Sequence, residues 1–259
     1  MEEPKVQLEV AGLVKRYGPD TVLNGIDLAV RQGEVVVVLG PSGCGKSTLL
    51  RCMNGLEPIN AGTVRLDGEP VAAGGKNMSR LRQRIGMVFQ SYELFPHKTV
   101  LENCTLAPCK VQRRAPQDAR REAEAWLKRV GLWEKRDAYP RQLSGGQKQR
   151  TAIVRALCMH PEVLLFDEVT AALDPEMVRE VLDVMLELAD GGMTMVIVTH
   201  ELSFARAIAD RVVFLDGGGI VEQAAPEQFF TAPATRRAKA FLQTFTYVRR
   251  ATEEDSVVI

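Results

Sequence analysis

The sequence has no long apolar run, no net charge and few aromatic residues. Lys+Arg and Asp+Glu each number 33 among 259 residues, so the formal net charge is zero. That balance gives no reason to expect a nucleic acid or another polyanion as a partner. No stretch reaches the roughly 18 consecutive apolar residues that a membrane-spanning helix needs, and the opening MEEP is not typical of a signal peptide. If the protein acts at a membrane, we expect it to dock on another protein.

Cysteine is also scarce, and no two cysteines form a C-x-x-C pair. The five positions are Cys44, Cys52, Cys104, Cys109 and Cys158. An odd number without paired spacing argues against a disulfide framework or a zinc site, so we expect reduced thiols. Hydrophobic residues make up 46% of the chain. This is enough for one large α/β domain with a small appended subdomain.

The most informative stretch that is present reads GPSGCGKST. It fits G-x-x-x-x-G-K-[ST], a loop whose backbone amides surround phosphate oxygens while the lysine adds a charge and the serine a hydroxyl for Mg²⁺. An apolar run at 34–39 is typical of a buried parallel strand, and 47–53 opens a helix, so an ordinary glycine turn is the weaker interpretation. We expect nucleotide contacts from Gly40, Pro41, Ser42, Gly43, Cys44, Gly45, Lys46, Ser47 and Thr48.

A second buried strand, VLLFDE at 163–168, supplies carboxylates. At its end Asp167 is suited to hold the Mg²⁺ of a bound nucleotide, and Glu168 can point at a water molecule. Two carboxylates at a strand end could instead form a solvated turn, but the phosphate loop earlier in the chain favours the nucleotide site. Together the two motifs predict a P-loop ATPase or kinase.

The segment between these motifs contains LSGGQ at 143–147, followed by a helical run. Ser144 is a natural N-cap, and the glycines after it predict open backbone amides at a second helix N-terminus. This is a second candidate anion site in a chain with one lysine-bearing loop. The arrangement makes chemical sense if the second site serves a nucleotide that another copy holds.

The remaining pattern predicts an α/β fold. Alternation over 6–30, with a turn at 17–20, indicates antiparallel strands, and another strand is expected at 62–66. A charged helix over 113–130 would expose its arginines. Asp174 is the expected N-cap of a core helix that ends near Gly191, before a strand at 195–198. Alternating strands and helices predict a mostly parallel sheet covered on both faces.

With these motifs in this order, the chain resembles the ATP-binding subunits of ABC transporters, and most closely those of bacterial importers of polar amino acids. The likeness covers 6–245 and also rests on Tyr17 in KRYG, Gln90 in MVFQ, AALD at 171–174 and His200 in VTHE. The narrower likeness rests on LFPHKTVLEN at 94–103 and on 204–214. The resemblance to the family as a whole implies a P-loop NTPase (RecA-like) core, an N-terminal antiparallel β subdomain, an inserted helical subdomain at about 91–150, and a tail at 246–259.

The resemblance also implies roles for single residues. Tyr17 would stack on adenine, although a surface or core tyrosine is the plainer interpretation. Gln90 would reach Mg²⁺ or the attacking water, where a turn-capping amide is the alternative. His200 would contact the γ-phosphate, although a strand-end histidine is often structural; His97 and His160 are expected to be structural or on the surface. Glu168 would polarise the water, with phosphate charge neutralised by Lys46. Nearby amides and Lys46 are expected to lower the pKa of the Cys44 thiol.

Partners follow from the same resemblance. ATP and Mg²⁺ would lie at the interface of a head-to-tail homodimer, completed by Ser144, Gly145, Gly146 and Gln147 of the second copy, with Asp174 at the dimer seam. A groove containing Phe95, Pro96, His97 and Leu101 would receive an integral membrane permease, unless Phe95 and Leu101 simply fill the subdomain core. A solute-binding protein would act indirectly. The chain would then be peripheral, at the cytoplasmic face of a bacterial membrane.

Two departures from the family pattern and several alternatives stay open. Val169 and Ala171 stand where proline and serine are usual, which predicts a less rigid turn with activity retained, or a subgroup that handles a solute such as an ectoine or opine. An exporter ATPase is a second hypothesis. An ABC protein acting on DNA or ribosomes would need a long coiled-coil insertion or a duplicated ATPase domain, and the short gap from Gln90 to Ser144 with no second cassette argues against both. LSGGQ argues against a P-loop kinase.

Overall fold

The computed structural model describes residues 5–71, 78–171 and 173–245. The expected tail at 246–259 and one residue of the AALD motif, Ala172, lie outside these ranges. The described residues form ten strands in two sheets. In chain order they are β1 (Val6–Tyr17), β2 (Asp20–Arg31), β3 (Val35–Leu39), β4 (Ala61–Leu66), β5 (Glu69–Pro70), β6 (Ile85–Val88), β7 (Val163–Asp167), β8 (Thr194–Val198), β9 (Arg211–Asp216) and β10 (Gly219–Ala224).

The same ranges contain nine α-helices and two short 3₁₀ turns. The helices are α1 (Lys46–Met53), α2 (Met78–Arg84), α3 (Val100–Lys110), α4 (Pro116–Arg129), α5 (Gly145–Leu157), α6 (Pro175–Asp190), α7 (Leu202–Ile208), α8 (Pro226–Thr231) and α9 (Arg236–Gln243). The 3₁₀ turns are Trp133–Lys135 and Pro140–Gln142. Within the described part of the chain, no helix combines the length and the apolar character that crossing a bilayer requires.

Four strands form an antiparallel sheet in the order β2-β1-β4-β5. Tyr17 pairs with Asp20 across the turn between β1 and β2. Apolar residues of β1 alternate with polar ones, so that Leu8 and Val10 are buried against their partners in the neighbouring strands. The predicted antiparallel strands and the turn at 17–20 are therefore confirmed.

The second sheet has six strands in the order β10-β9-β3-β8-β7-β6. All pairs are parallel except β10 with β9. Alternate residues of the fully buried β3 belong to different cores, Val35 and Val37 on one face and Val36 and Val38 on the other. The mostly parallel, doubly covered sheet is confirmed, and it brings the carboxyl ends of β3, β7 and β8 to one edge.

Helices α3, α4 and α5 lie between β6 and β7 in the chain and pack against one another. The charged helix begins at Pro116 rather than at Arg113, because proline suits the first turn of a helix. It buries Ala119, Ala123 and Leu127. Helix α5 continues past residue 150 to Leu157, so this helix does not end at the expected subdomain boundary. The extent of the subdomain stays a prediction.

Candidate active site

The phosphate loop runs from the end of β3 into α1, and close contacts require glycine at two of its positions. A Cβ at Gly40 would lie 2.1 Å from the carbonyl oxygen of Leu215, a contact that no side chain tolerates. Gly45 is the N-cap of α1 and has a φ of 102°, and a Cβ there would lie 2.8 Å from a methyl group of Leu23. The loop therefore keeps its shape only with glycine at both positions.

Lys46 is the first residue of α1, and its ammonium group is directed back into the loop. Its Nζ donates hydrogen bonds to the carbonyl oxygens of Gly40 at 2.9 Å and Pro41 at 2.8 Å. The residue is only 4% exposed. Two carbonyl acceptors satisfy this buried cation within the chain, at the place where the motif predicts phosphate contacts.

Ser47 and Asp167 meet at the carboxyl edge of the sheet. The Ser47 hydroxyl donates a 2.6 Å hydrogen bond to Oδ1 of Asp167. Burial raises the pKa of Asp167, and this effect outweighs the opposing hydrogen bond from Ser47 and the charge of Arg51. Both residues line a cavity of about 420 Å³ together with Gln90 and Arg51.

The donor atoms of this cavity fit Mg²⁺. A serine hydroxyl, a carboxylate and an amide oxygen are hard oxygen ligands, and Mg²⁺ usually takes only one or two protein carboxylates with phosphates and waters completing its shell. Among the described residues there is no cluster of three or more His, Cys, Asp and Glu side chains that would suit a zinc ion or a larger metal site. The residues predicted as metal ligands, Ser47, Gln90 and Asp167, therefore lie around one cavity.

Glu168, the residue after Asp167, forms a pair with His200, although neither of the two lines this cavity. Nε2 of His200 lies 3.0 Å from Oε1 of Glu168, a hydrogen-bond distance. Glu168 has a φ of 48°, and its amide donates to the carbonyl oxygen of Val198 on β8 at 3.0 Å. A left-handed backbone at a non-glycine residue is uncommon and costs free energy, which marks this strand end as a candidate functional site.

The turn after Glu168 is closed and packed. The amide of Ala171 donates to the carbonyl oxygen of Glu168 at 3.1 Å. Val169 is 5% exposed and belongs to the larger hydrophobic core. Valine at this position therefore contributes buried apolar surface, where the sequence alone predicts a less rigid turn.

The signature stretch LSGGQ begins α5 with a capping box. The hydroxyl of Ser144 accepts from the amide of Gln147 at 3.3 Å, and Oε1 of Gln147 accepts from the amide of Ser144 at 3.1 Å. The N-cap prediction is confirmed. The prediction of open glycine amides is wrong at Gly146, whose amide donates to the Met177 sulfur at 3.4 Å.

Asp174 precedes α6 as predicted, but its side chain makes no capping hydrogen bond. Neither Asp174 nor the stretch Ser144–Gln147 lines the cavity around Ser47 and Asp167. The same holds for Tyr17, which is 45% exposed and lies under Nζ of Lys15 at 4.4 Å from its ring centre. The Tyr17 ring is therefore partly exposed, with one face occupied by the Lys15 ammonium group. The nucleotide-binding roles of these residues stay predictions.

The expectation for the Cys44 thiol is wrong. Burial raises the pKa of Cys44, and this outweighs the lowering by Lys46 and the neighbouring amides. The sequence showed the positive charge but not the desolvation. Cys44 is therefore less reactive at neutral pH than an ordinary exposed cysteine.

The two apolar residues of the predicted groove separate in the structure. Leu101 is 8% exposed and belongs to the hydrophobic core, whereas Phe95 is 41% exposed. Phe95 lines an apolar groove of about 320 Å³ with Leu56, Met87, Phe89, Ala156 and Met159. Pro96 and His97 are exposed but do not line it. Leu101 is therefore a core residue, and only Phe95 of the four contributes to the groove.

Asn103 shapes this region and was missed by the sequence analysis. It is fully buried, its Oδ1 accepts from the amide of Phe95 at 2.8 Å, and its Nδ2 donates to the carbonyl oxygens of Phe95, Lys98 and Thr99. A polar side chain among apolar residues of α3 was the available signal. Asn103 holds the loop that presents Phe95.

The other two histidines lie outside the site. His97 packs edge-on to Phe95, with ring centres 6.2 Å apart. His160 pairs with Glu122, which also binds Arg114. The prediction that both are structural or on the surface is confirmed.

Three features together define a P-loop nucleoside triphosphatase: a phosphate loop between a buried parallel strand and a helix, a hydrogen bond from its serine to the aspartate at the end of β7, and a glutamate–histidine pair that begins at the next residue. A family profile described as "ABC transporter" matches residues 23–171. The chain belongs to the ABC transporter family, and it is an ATP-binding and ATP-hydrolysing subunit of such a transporter.

Curated relatives are similar over nearly their whole length. The glutamine transport ATP-binding protein GlnQ of Bacillus subtilis is 56% identical, and the match covers 88% of this chain and 94% of GlnQ. The arginine transport ATP-binding protein ArtM of the same organism is 54% identical, over 91% of this chain and 98% of ArtM. The glutamate/aspartate import ATP-binding protein GltL of Escherichia coli is also 54% identical, over 88% and 95%.

Solved structures agree with the fold. The ATP-binding cassette MJ0796, as a post-hydrolysis dimer bound to ADP and phosphate, is 32% identical with a TM-score of 0.77, and the match covers 85% of this chain and 98% of that one. CbiO1 of Clostridium perfringens, part of the transporter complex cbiONQ, is 31% identical with a TM-score of 0.79, over 93% and 97%. The predicted α/β fold with a mostly parallel sheet and a helical subdomain is confirmed.

Proposed function

We propose that this chain is the ATPase subunit of an importer for polar amino acids or related small polar solutes. The observation that carries this proposal is the identity of 54–56% to ATP-binding proteins named for glutamine, arginine and glutamate/aspartate transport. The match spans at least 94% of each of these relatives and at least 88% of this chain. The solute itself would be selected by other subunits.

The reaction at the nucleotide site is in-line attack of water on the γ-phosphate. Lys46 and the amides of Gly43, Cys44 and Gly45 neutralise phosphate charge. This lowers the activation barrier because negative charge on the phosphate oxygens is stabilised in the transition state. Glu168 accepts a proton from the attacking water, and His200, 3.0 Å from its carboxylate, orients this base and the γ-phosphate.

Ser47, Asp167 and Gln90 are the residues that would hold Mg²⁺. Bound there, the ion would offset negative charge on the β- and γ-phosphates. The buried Asp167, whose pKa is raised, would then have a cation beside it that favours its ionised form.

A second copy of the chain completes the site. Within one chain the Ser144–Gln147 stretch does not line the cavity of Ser47 and Asp167, and the similar cassette MJ0796 is dimeric with ADP and phosphate bound. A head-to-tail pair would place this helix N-terminus on the nucleotide of the partner. Asp174, at the start of α6, would lie at the seam between the copies.

The groove around Phe95 is the proposed contact for an integral membrane permease. Phe95 and Leu56, which both line the groove, are 41% and 42% exposed. An exposed aromatic residue in an apolar groove suits an amphipathic helix from a partner. This docking would place the chain at the cytoplasmic face of the bacterial membrane, and a solute-binding protein would deliver solute on the other side.

Reconstitution tests the proposal. The full-length chain is assembled in proteoliposomes with the permease subunits of its transporter. ATPase activity and solute uptake are then measured with a panel of polar amino acids and the transporter's solute-binding protein. We expect ATP-dependent uptake and stimulation of ATPase activity by at least one amino acid. ATP-dependent movement in the opposite direction would support the alternative, an exporter, and would overturn the proposal.

A further inference from the structure

The loop that carries Gln90 has an uncommon backbone. Tyr92 and Glu93 are consecutive non-glycine residues with φ of 63° and 50°. Left-handed conformations at such residues cost free energy, and they persist only where surrounding contacts stabilise them. The amide of Tyr92 donates to Phe89 and that of Glu93 to Ser91, so local turns provide part of this stabilisation.

Side chains of the signature helix α5 provide the rest. Nη2 of Arg155 donates to the carbonyl oxygen of Tyr92 at 3.1 Å, and Nη1 donates to that of Glu93. Arg155 is half-buried, which lowers the pKa of its guanidinium, and the two carbonyl oxygens supply acceptors in place of water.

Gln149, on the same helix, holds the other end of the loop. It is fully buried, and its Nε2 donates to the carbonyl oxygen of Phe89 at 3.3 Å. Its Oε1 is buried and accepts no hydrogen bond from any residue in the described ranges. Burying an amide oxygen without a hydrogen-bond donor costs free energy of folding. The hydrogen bond to Phe89 is the contact that offsets this cost.

We propose that Arg155 and Gln149 are positioning residues for Gln90. Their hydrogen bonds flank Gln90 on both sides, at Phe89 and at Tyr92 and Glu93. The helix that bears them starts with Ser144 and its capping box. One rigid element therefore sets both the loop at the metal cavity and the signature stretch that serves the partner's nucleotide. This inference rests on the role of Gln90 in the proposed function.

The first test measures loop stability without nucleotide. Arg155→Lys keeps the positive charge but loses the two-pronged donor. Arg150→Lys is the matched control, because Arg150 lies on the same helix but binds the Val130 carbonyl and Glu180, each at 2.8 Å. In the full-length chain, we expect amide hydrogen exchange at 89–95 to rise about tenfold in Arg155→Lys and to stay unchanged in Arg150→Lys. Unchanged exchange in Arg155→Lys would overturn the proposal.

The second test is a double-mutant cycle on ATP hydrolysis. Arg155→Lys is expected to lower kcat about tenfold, with the KM for ATP changed less than about twofold, because a small displacement of a positioned group slows chemistry more than binding. In a Gln90→Ala background the same substitution should have no further effect, whereas a merely structural role would give additive losses. If Arg155→Lys does not fold, Gln149→Met removes the other donor at similar volume and serves in both tests.

The two proposals fail differently. A Gln90→Ala variant with normal kcat would remove Gln90 from the proposed site, and with it this inference. A slow Gln90→Ala variant combined with additive losses in the cycle would overturn the positioning role alone.

Discussion

Replacing Glu168 by glutamine removes one negative charge from the site and almost nothing else. The two side chains have the same shape, and the left-handed backbone at this position is held by the hydrogen bond from its amide to Val198. His200 lies 3.0 Å from the carboxylate, and the amide of glutamine can still form a hydrogen bond with it. We therefore expect the melting temperature of Glu168→Gln to differ little from that of the parent chain.

The effect on catalysis should be large. Loss of a general base lowers kcat about 10²- to 10⁴-fold, which corresponds to roughly 3–5 kcal/mol in the activation barrier. ATP binding should remain, because the phosphate loop is unchanged, and the variant should accumulate as an ATP-bound dimer. Phosphate release under single-turnover conditions measures the chemical step, and size-exclusion chromatography with ATP measures the dimer.

Glu201→Gln is the matched control. It also replaces a carboxylate next to His200 in the sequence, but the Glu201 side chain makes no hydrogen bond to any other residue that the structure describes. Its backbone amide donates to the Thr199 hydroxyl, and its carbonyl oxygen accepts from the Ala205 amide. Its kcat should stay within about twofold of the parent value. Phosphate release by Glu168→Gln at the rate of this control would refute the assignment of Glu168 as the base.

Three further predictions concern charge, assembly and docking. Burial raises the pKa of Asp167, so its ionised form lowers the stability of the folded protein above that pKa. Asp167→Asn should therefore raise the melting temperature of the nucleotide-free protein at about pH 8, and the gain should shrink toward about pH 4. The same variant should have no ATPase activity. An equal gain at both pH values would contradict this linkage. Lys46→Ala and Ser144→Arg chains should each be inactive alone, but mixing them should restore partial activity through one intact composite site. Phe95→Ala should weaken permease pull-down at little cost in stability, whereas Leu101→Ala should lose about 2–5 kcal/mol of stability. The reverse result would make Phe95 the core residue.

Most of the nucleotide site could be predicted because its geometry follows from short-range rules. A β-branched run before a glycine-rich loop predicts β3 and α1, and parallel strands bring the residues that follow them to one edge. The capping box of Thr99 and Glu102 predicts that a helix starts at Val100. This helix directs Leu101 and Cys104 into the core and leaves Phe95 outside it. The burial of Leu101 and the exposure of Phe95 could therefore be predicted from the sequence.

Other features depend on contacts between distant parts of the chain. The pKa of Cys44 is decided by desolvation, which no sequence window reveals. The Gly146 amide meets the sulfur of Met177, a residue on another helix, and Arg155 finds its acceptors in a loop more than sixty positions earlier. Such pairings result from how helices pack, so local patterns do not specify them.

The contact between Gly40 and Leu215 bears on where probes and tags can be attached. The β9–β10 turn, with Gly217 and Gly218 at its tip, has the sequence of a loop that tolerates insertions. Yet a Cβ at Gly218 would lie 2.8 Å from the Val22 carbonyl oxygen, and the Gly218 carbonyl accepts from the amide of Asn24 at 2.8 Å. A label in this turn would push on the strand whose Leu215 carbonyl abuts the phosphate loop. Asp137, whose side chain is 79% exposed between the two 3₁₀ turns, is the better attachment point for a fluorophore that must report on ATP without disturbing its site.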